Sequence, residues 1–146
     1  MNAAAAGLAV TAGLAGSVQV AVMGRFGGRI GVVEALTFAT GIQLVLATTI
    51  LLVSRQGAGG IGGAFRAPPW MWAGGLMGLV VVYSITFAQP RIGAATTIGI
   101  LVAAQLVMGA VIDRFGWFGV EQIGLSPTRM LGIVLLGAGA ALSLAR

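Results

Sequence analysis

Few residues of this sequence could do chemistry, and most of them lie inside long apolar runs. Glu34 is the one carboxylate that lies clearly within such a run. A carboxylate in that setting could bind a proton or a cation, and two copies of it could couple solute movement to protons. The alternative is structural, because the helix dipole favours a carboxylate in a first helical turn, where it can also pair with a nearby arginine. Both interpretations of Glu34 stay open.

Three glutamines also lie within apolar runs, where a neutral amide can both donate and accept hydrogen bonds. For Gln19 and Gln105, the functional interpretation is coordination of a solute in a cavity. The alternative is a hydrogen bond between helices, which stabilises a membrane protein by about 0.5–2 kcal/mol. For Gln43 the structural interpretation is preferred.

Hydroxyl and aromatic side chains form a second set of candidates. Thr97 shares a helix face with Gln105 by three- and four-residue spacing, so this face could line a cavity. The Thr97 hydroxyl could instead bond to the preceding helical turn, and Tyr83 and Ser84 have the same two options. Trp72 follows two prolines at the end of a run, where an amphipathic ring typically anchors at the membrane interface. Lining a vestibule, or packing on a cationic solute, is the alternative for this ring.

Charges near the ends of the runs are interpreted as structural. Asp113 could pair with Arg129 or with Arg25, in the same copy or in a second one.

Catalysis is not expected, because the sequence contains no cysteine, no histidine, no nucleophile–base pair and no phosphate loop. We therefore expect no enzyme activity, no metal site and no cofactor.

The elements that hold these residues must be membrane-spanning helices. The chain has 146 residues, of which 58% are hydrophobic and only 8% are charged, whereas an ordinary soluble domain is about a quarter charged. Lipid can solvate such a surface, but water cannot. All 8 basic residues are arginines that stand singly between apolar runs, so the net charge of +5 indicates membrane flanks rather than nucleic-acid binding.

Five apolar runs, bounded by Arg, Pro or Gly, predict an all-α integral membrane protein with one transmembrane domain, residues 1–146. About 20 residues are needed for one span. An alternative interpretation keeps four spans and makes the first or the last run peripheral. The predicted spans cover about residues 2–23, 30–53, 68–89, 92–112 and 128–145.

The arginines divide evenly between the two membrane faces that five spans define. The two sets are Arg55, Arg66, Arg114 and Arg129 on one face, and Arg25, Arg29, Arg91 and Arg146 on the other. Orientation normally follows an imbalance of basic residues, so a tie predicts insertion in both orientations. Two opposite copies would then form an antiparallel homodimer of ten helices about a two-fold axis in the membrane plane, with a site at the midplane.

Motifs along nearly the whole chain carry a family resemblance. They include Pro69–Gly75, and the densest stretch comprises Pro90–Ala95, Gln105 and Ile112–Gly116. In their order and spacing they resemble the short, single-domain YdcZ-like proteins of the drug/metabolite transporter superfamily, relatives of the small multidrug resistance proteins. The resemblance implies an inner-membrane half-transporter fold. This chain has Met23 where the family often has an asparagine, and the family position of Glu34 is small and apolar, which argues against a shared role for that carboxylate.

Together these observations predict a small secondary transporter of the bacterial inner membrane. It would move a small organic solute or metabolite by alternating access, as an antiparallel homodimer. Its expected partners are membrane lipid, a second copy of the chain and an unidentified small solute. One alternative is a dual-topology ion channel, whose pore would need a polar lining. The other is a non-transporting membrane scaffold or assembly protein.

Overall fold

The computed structural model describes residues 3–54, 60–124 and 126–143, and all regular structure in these segments is helical. The predicted all-α fold is therefore confirmed. Residues 2 and 145, where two predicted spans begin or end, and Arg55 and Arg146 of the arginine count lie outside the described residues. The helices are α1 (Ala3–Ile30), α2 (Val32–Val53), α3 (Ile61–Ala64), α4 (Ala73–Ile92), α5 (Ala94–Phe115) and α6 (Pro127–Leu142), with 3-10 turns at Pro69–Trp72 and Trp117–Gly119.

Four stretches of helix in the described residues are long and apolar enough to cross a membrane. They are α1, α2, α5 and the stretch Pro69–Ile92, which joins a 3-10 turn to α4. The sixth helix is shorter, with 16 residues, or about 24 Å at 1.5 Å per residue. Large apolar side chains cover the helix surfaces, as at Leu14, Val45 and Leu135, each more than half exposed. Such a surface suits lipid and identifies an integral membrane protein.

The helix α1 runs past Met23, where the first span was predicted to end, and continues to Ile30. The glycine-rich segment after Met23 resembles a turn because glycine weakens a helix in water by about 1 kcal/mol. In lipid every backbone polar group must bond within the protein, which keeps the segment helical. The break comes at Gly31, whose φ of 104° and ψ of 149° favour glycine, which has no side chain to clash with the backbone.

The end of α4 repeats this arrangement. The third span was predicted to end at Gln89, before Pro90, but the helix includes the proline and ends at Ile92. A proline after the first turn removes one backbone hydrogen bond and its ring crowds the carbonyl four residues earlier, and α4 ends two residues after Pro90. The break again comes at a glycine, Gly93, with φ 84° and ψ 160°. Single glycines thus separate α1 from α2 and α4 from α5.

The contacts within the chain define two compact units. The first contains Met1–Val20 and Arg91–Arg146, and the second contains Ala21–Pro90. The α1 helix contributes residues to both units, whereas α2 belongs to the second and both α5 and α6 to the first. We call the first the α5–α6 unit and the second the α2–α4 unit.

In the α5–α6 unit, the two helices that name it pack antiparallel. Near one end, the Thr96 hydroxyl donates a 3.0 Å hydrogen bond to the carbonyl of Ser143. One turn along, Gly99 approaches Ala140 so closely that a β-carbon on the glycine would lie 3.6 Å from the Ala140 Cα. Small residues here let the two backbones come together, which is how helices associate tightly in lipid.

In the α2–α4 unit, the last turns of α1 pack against the last turns of α4. Gly24 lies against the side chain of Gln89, and Gly27 lies against the methyl group of Thr86. The order of these two pairs shows that the helices run antiparallel. Thr86 is fully buried, and its hydroxyl donates to the carbonyl of Val82 at 2.6 Å, so the contact leaves this polar group satisfied.

Candidate functional site

The amides of Gln19, Gln43 and Gln105 have no hydrogen-bond partner among the described residues. Gln19 is half-buried, whereas Gln43 and Gln105 are exposed on their helices. Burying an amide in hydrocarbon without a hydrogen-bond partner costs several kcal/mol of free energy, as it does for other buried polar groups. Water, a solute or a second copy of the chain would each satisfy such an amide in the membrane.

The hydroxyls of Thr97 and Ser84, in contrast, are satisfied within their own helices. Thr97 is only 5% exposed, and its hydroxyl donates to the carbonyl of Gly93 at 2.7 Å. The hydroxyl of Ser84 donates to the carbonyl of Val80 at 2.7 Å. Both geometries match the structural alternative, a bond back to the preceding helical turn. A hydroxyl that is already bonded within its helix is less available to hydrogen-bond a solute than an amide that has no partner among the described residues.

The two aromatic candidates lie in different local surroundings. The ring of Tyr83 is stacked on that of Phe87 with centroids 6.3 Å apart. Trp72 donates its indole N–H to the carbonyl of Ala64 at 3.0 Å and meets the ring of Phe65 edge-on at 6.4 Å. The hydrogen bond and the ring contact both hold Trp72 against the short segment that precedes α4. Such a ring, apolar on its faces and polar at one atom, suits the membrane interface.

Glu34 lies in the first turn of α2, and its side chain is exposed. Its carboxylate folds back over Gly31, so that a β-carbon on that glycine would collide with it. The unpaired N–H groups of a first helical turn attract a negative charge. The position thus agrees with the structural interpretation of Glu34. Arg25, one of the candidate interface charges, is exposed on α1.

Asp113 pairs with Arg129, one of the two arginines predicted as its partner. The ion pair joins the last turn of α5 to the first turn of α6, where Ser126 also caps α6 by accepting from the backbone N–H of Arg129 at 3.2 Å. The connecting chain folds back as well, since the N–H of Ile123 donates to the carbonyl of Asp113 at 2.9 Å. Together these bonds fix how α6 leaves α5.

Gln89 was not among the residues predicted from the sequence to lie at a contact or site. Its side chain is half-buried and covers Gly24 of α1. A signal was present, because Gly24 and Gly27 are spaced by three and so lie on one helix face. Nothing in the sequence, however, says which helix that face meets.

Two apolar grooves lie on α2 and α5, the helices that carry the exposed Gln43 and Gln105. The groove on α2, with a volume of about 430 Å³, is lined by Phe38, Gly41, Ile42, Val45 and Leu46. The groove between α5 and α6, with a volume of about 600 Å³, is lined on α5 by Ile100, Ala103, Ala104, Val107 and Met108. We call them the α2 groove and the α5–α6 groove. Neither is lined by a side chain that was predicted to bind solute.

Comparison with known proteins places this helical chain in a family. Residues 4–142 match a family model described as "Putative inner membrane exporter, YdcZ". The Inner membrane protein YdcZ of Escherichia coli strain K12 is 36% identical over 101 residues, which make up 68% of this chain and 66% of that protein, just under two thirds of its length. No solved structure matches the chain. The chain therefore belongs to the YdcZ family of multi-pass inner membrane proteins.

Proposed function

We propose that the chain is one half of a small secondary transporter, which moves a small organic solute or metabolite across the inner membrane by alternating access. The observation that carries this proposal is the match of residues 4–142 to the family described as "Putative inner membrane exporter, YdcZ". The amides of Gln19 and Gln105, which have no partner in the part of the chain that the structure describes, support it, because polar groups inside membrane spans mark solute pathways.

The working unit in this proposal is an antiparallel homodimer in which α6 is a fifth span. Five spans divide the arginines evenly between the two faces of the membrane, which favours insertion in both orientations. Few side chains are buried among the described residues of a single copy, which supports pairing as well. Two copies would have ten helices and would enclose an interior that five thin helices lack.

Single cysteines test the orientation, because the natural chain has none. Gly28→Cys lies near the end of α1 and Glu121→Cys lies between α5 and α6, and both sites are exposed. With an odd number of spans between them, they mark opposite faces. A membrane-impermeant maleimide applied to intact cells should label a fraction of the molecules at each site. Labelling at only one of the two sites would show a single orientation and exclude the antiparallel dimer.

Transport itself is tested with purified protein in proteoliposomes. The vesicles are loaded with glucose, uridine, N-acetylglucosamine, choline and succinate, and the loss of each probe is compared with that from protein-free vesicles. We expect saturable release of at least one probe and no unitary conductance in planar bilayers. Conductance steps, or a flux that does not saturate, would favour the ion channel. The absence of any flux or conductance would favour a scaffold.

A further inference from the structure

Two segments of the chain repeat the same motifs at the same interval. Arg29–Gly31 and Arg91–Gly93 both read Arg-Ile-Gly, and Gln43–Val45 and Gln105–Val107 both read Gln-Leu-Val. The number of residues between the two motifs is identical in each segment. A match of six residues with conserved spacing indicates one helix–turn–helix element that occurs twice in this chain.

The structure repeats along with the sequence. Each Arg-Ile-Gly ends in a glycine with positive φ, 104° at Gly31 and 84° at Gly93, and a helix of 22 residues follows directly. Gln43 and Gln105 are both the twelfth residue of these helices. The α2 groove and the α5 side of the α5–α6 groove are also lined from the same five helix positions. Gln43 is thus the counterpart of Gln105 in fold position as well as in sequence.

The shared position places both amides near the middle of the bilayer. A helix of 22 residues is about 33 Å long, close to the thickness of the hydrocarbon core, so its twelfth residue lies near the midplane. In an antiparallel pair of copies, a residue at the midplane keeps its depth whichever way its copy is inserted. Substrate sites of transporters built from repeats lie at this depth.

The fold uses neither amide in a hydrogen bond among the described residues. Both side chains are exposed, and neither has a hydrogen-bond partner among the described residues. The hydroxyl of Thr49 on α2 differs, since it donates to the carbonyl of Val45 at 2.8 Å. No charged residue stands between Glu34 and Arg55, or between Arg91 and Asp113. The polar chemistry available at this depth on α2 and α5 is therefore neutral.

We propose that Gln43 and Gln105 are equivalent solute-binding residues, and that the transported solute is an uncharged molecule with hydroxyl or amide groups. This inference rests on the proposed transport function. An amide both donates and accepts hydrogen bonds, so it pairs with hydroxyl and amide groups of either polarity. A charged solute would find no counter-charge at this depth, and its desolvation would go uncompensated.

The experiment uses the full chain in proteoliposomes with the five probes named above. We expect the wild type to release glucose, uridine or N-acetylglucosamine, and to retain choline and succinate. Gln43→Leu and Gln105→Leu should each raise the KM for the released probe at least fivefold, with a smaller change in maximal rate. Gln43→Asn and Gln105→Asn keep an amide and should restore part of the affinity. Thr49→Val, which removes a hydroxyl already bonded within α2, is the matched control and should leave the KM unchanged.

The outcomes separate this inference from the transport function. Transport of an uncharged probe with an unchanged KM in both leucine variants would overturn the role of the glutamines and leave the transporter standing. Release of choline or succinate alone would overturn the substrate class. No release of any probe by the wild type would overturn the transport function and this inference with it. Size-exclusion profiles and thermal unfolding of each variant distinguish a loss of solute binding from a loss of assembly. If a leucine variant fails to assemble while its asparagine counterpart keeps the wild-type KM, the glutamine has a structural role and does not bind the solute.

Discussion

Gly24 of α1 and Gln89 of α4 occupy one point of contact, because the glutamine side chain fills the space that a β-carbon on Gly24 would need. Such a β-carbon would lie 2.6 Å from the Cβ of Gln89, an atom fixed by the α4 backbone and unable to rotate away. Gly27, three residues along α1, is covered in the same way by Thr86. The absence of side chains on one face of α1 therefore determines how closely it approaches α4.

Replacing Gly24 tests this contact. Gly24→Ala should lower the free energy of unfolding by about 1–3 kcal/mol, because overpacking forces the two helices apart. Gly28→Ala is the control, since Gly28 lies on the same helix with open space around it. Both changes alter helix propensity equally. The difference between the two midpoints of thermal unfolding in detergent therefore measures the destabilisation that the clash alone causes. Equal midpoints for the two variants would show that α1 and α4 do not depend on this contact.

The helix break at Gly93 gives a second prediction. Its φ of 84° lies where a residue with a β-carbon is strained, so Gly93→Ala should destabilise the protein by about 1–3 kcal/mol. The control is Gly109→Ala in the same helix, where the space is open and the backbone helical. This control should be neutral or slightly stabilising. A Gly93→Ala protein as stable as the control would mean that α4 and α5 can join without a positive φ.

Composition and apolar runs were sufficient to predict the helical membrane fold, because lipid imposes a strong and local constraint on every span. The ends of the helices were less predictable. The first span was predicted to end at Met23 and the third at Gln89, since Gly and Pro mark turns in water, whereas both helices continue to single-glycine breaks. Lipid penalises an open backbone more than it penalises glycine in a helix.

Side-chain contacts also differ in whether they could be predicted from the sequence. The pairing of Asp113 with Arg129 was predictable as one of two options, because charges at run ends near a bilayer have few possible partners. The contact of Gln89 with Gly24 was not, since it depends on which helices become neighbours. The Arg-Ile-Gly and Gln-Leu-Val motifs are repeated in the sequence, but only the matching glycine breaks show that Gln43 and Gln105 occupy the same position in their helices.

The ion pair between Asp113 and Arg129 gives a third prediction. Their side chains are 21% and 30% exposed, so the pair is partly shielded from water. Asp113→Asn should lower the free energy of unfolding by about 1.5–3 kcal/mol, the usual range for a hydrogen bond to a charged group. Glu121→Gln is the control, because this exposed carboxylate has no ion-pair partner among the described residues.

A double-mutant cycle completes the test of this ion pair. If the two side chains interact directly, the loss from Asp113→Asn should largely disappear in a protein that already carries Arg129→Gln. Additive losses in the unfolding free energy would show that each residue acts separately.

The last prediction concerns Glu34, whose carboxylate lies over Gly31 in the first turn of α2. A charge in this position interacts with the free N–H groups of the turn, and its removal typically costs about 0.3–1 kcal/mol. Glu34→Gln should therefore lower stability slightly while the dependence of transport on pH stays the same. The measurement is the rate of probe release from proteoliposomes at several pH values, for the wild type and the variant. Loss of the pH dependence in Glu34→Gln would instead make this carboxylate the proton-coupling group, because a purely helix-stabilising residue has no reason to alter the response of transport to protons.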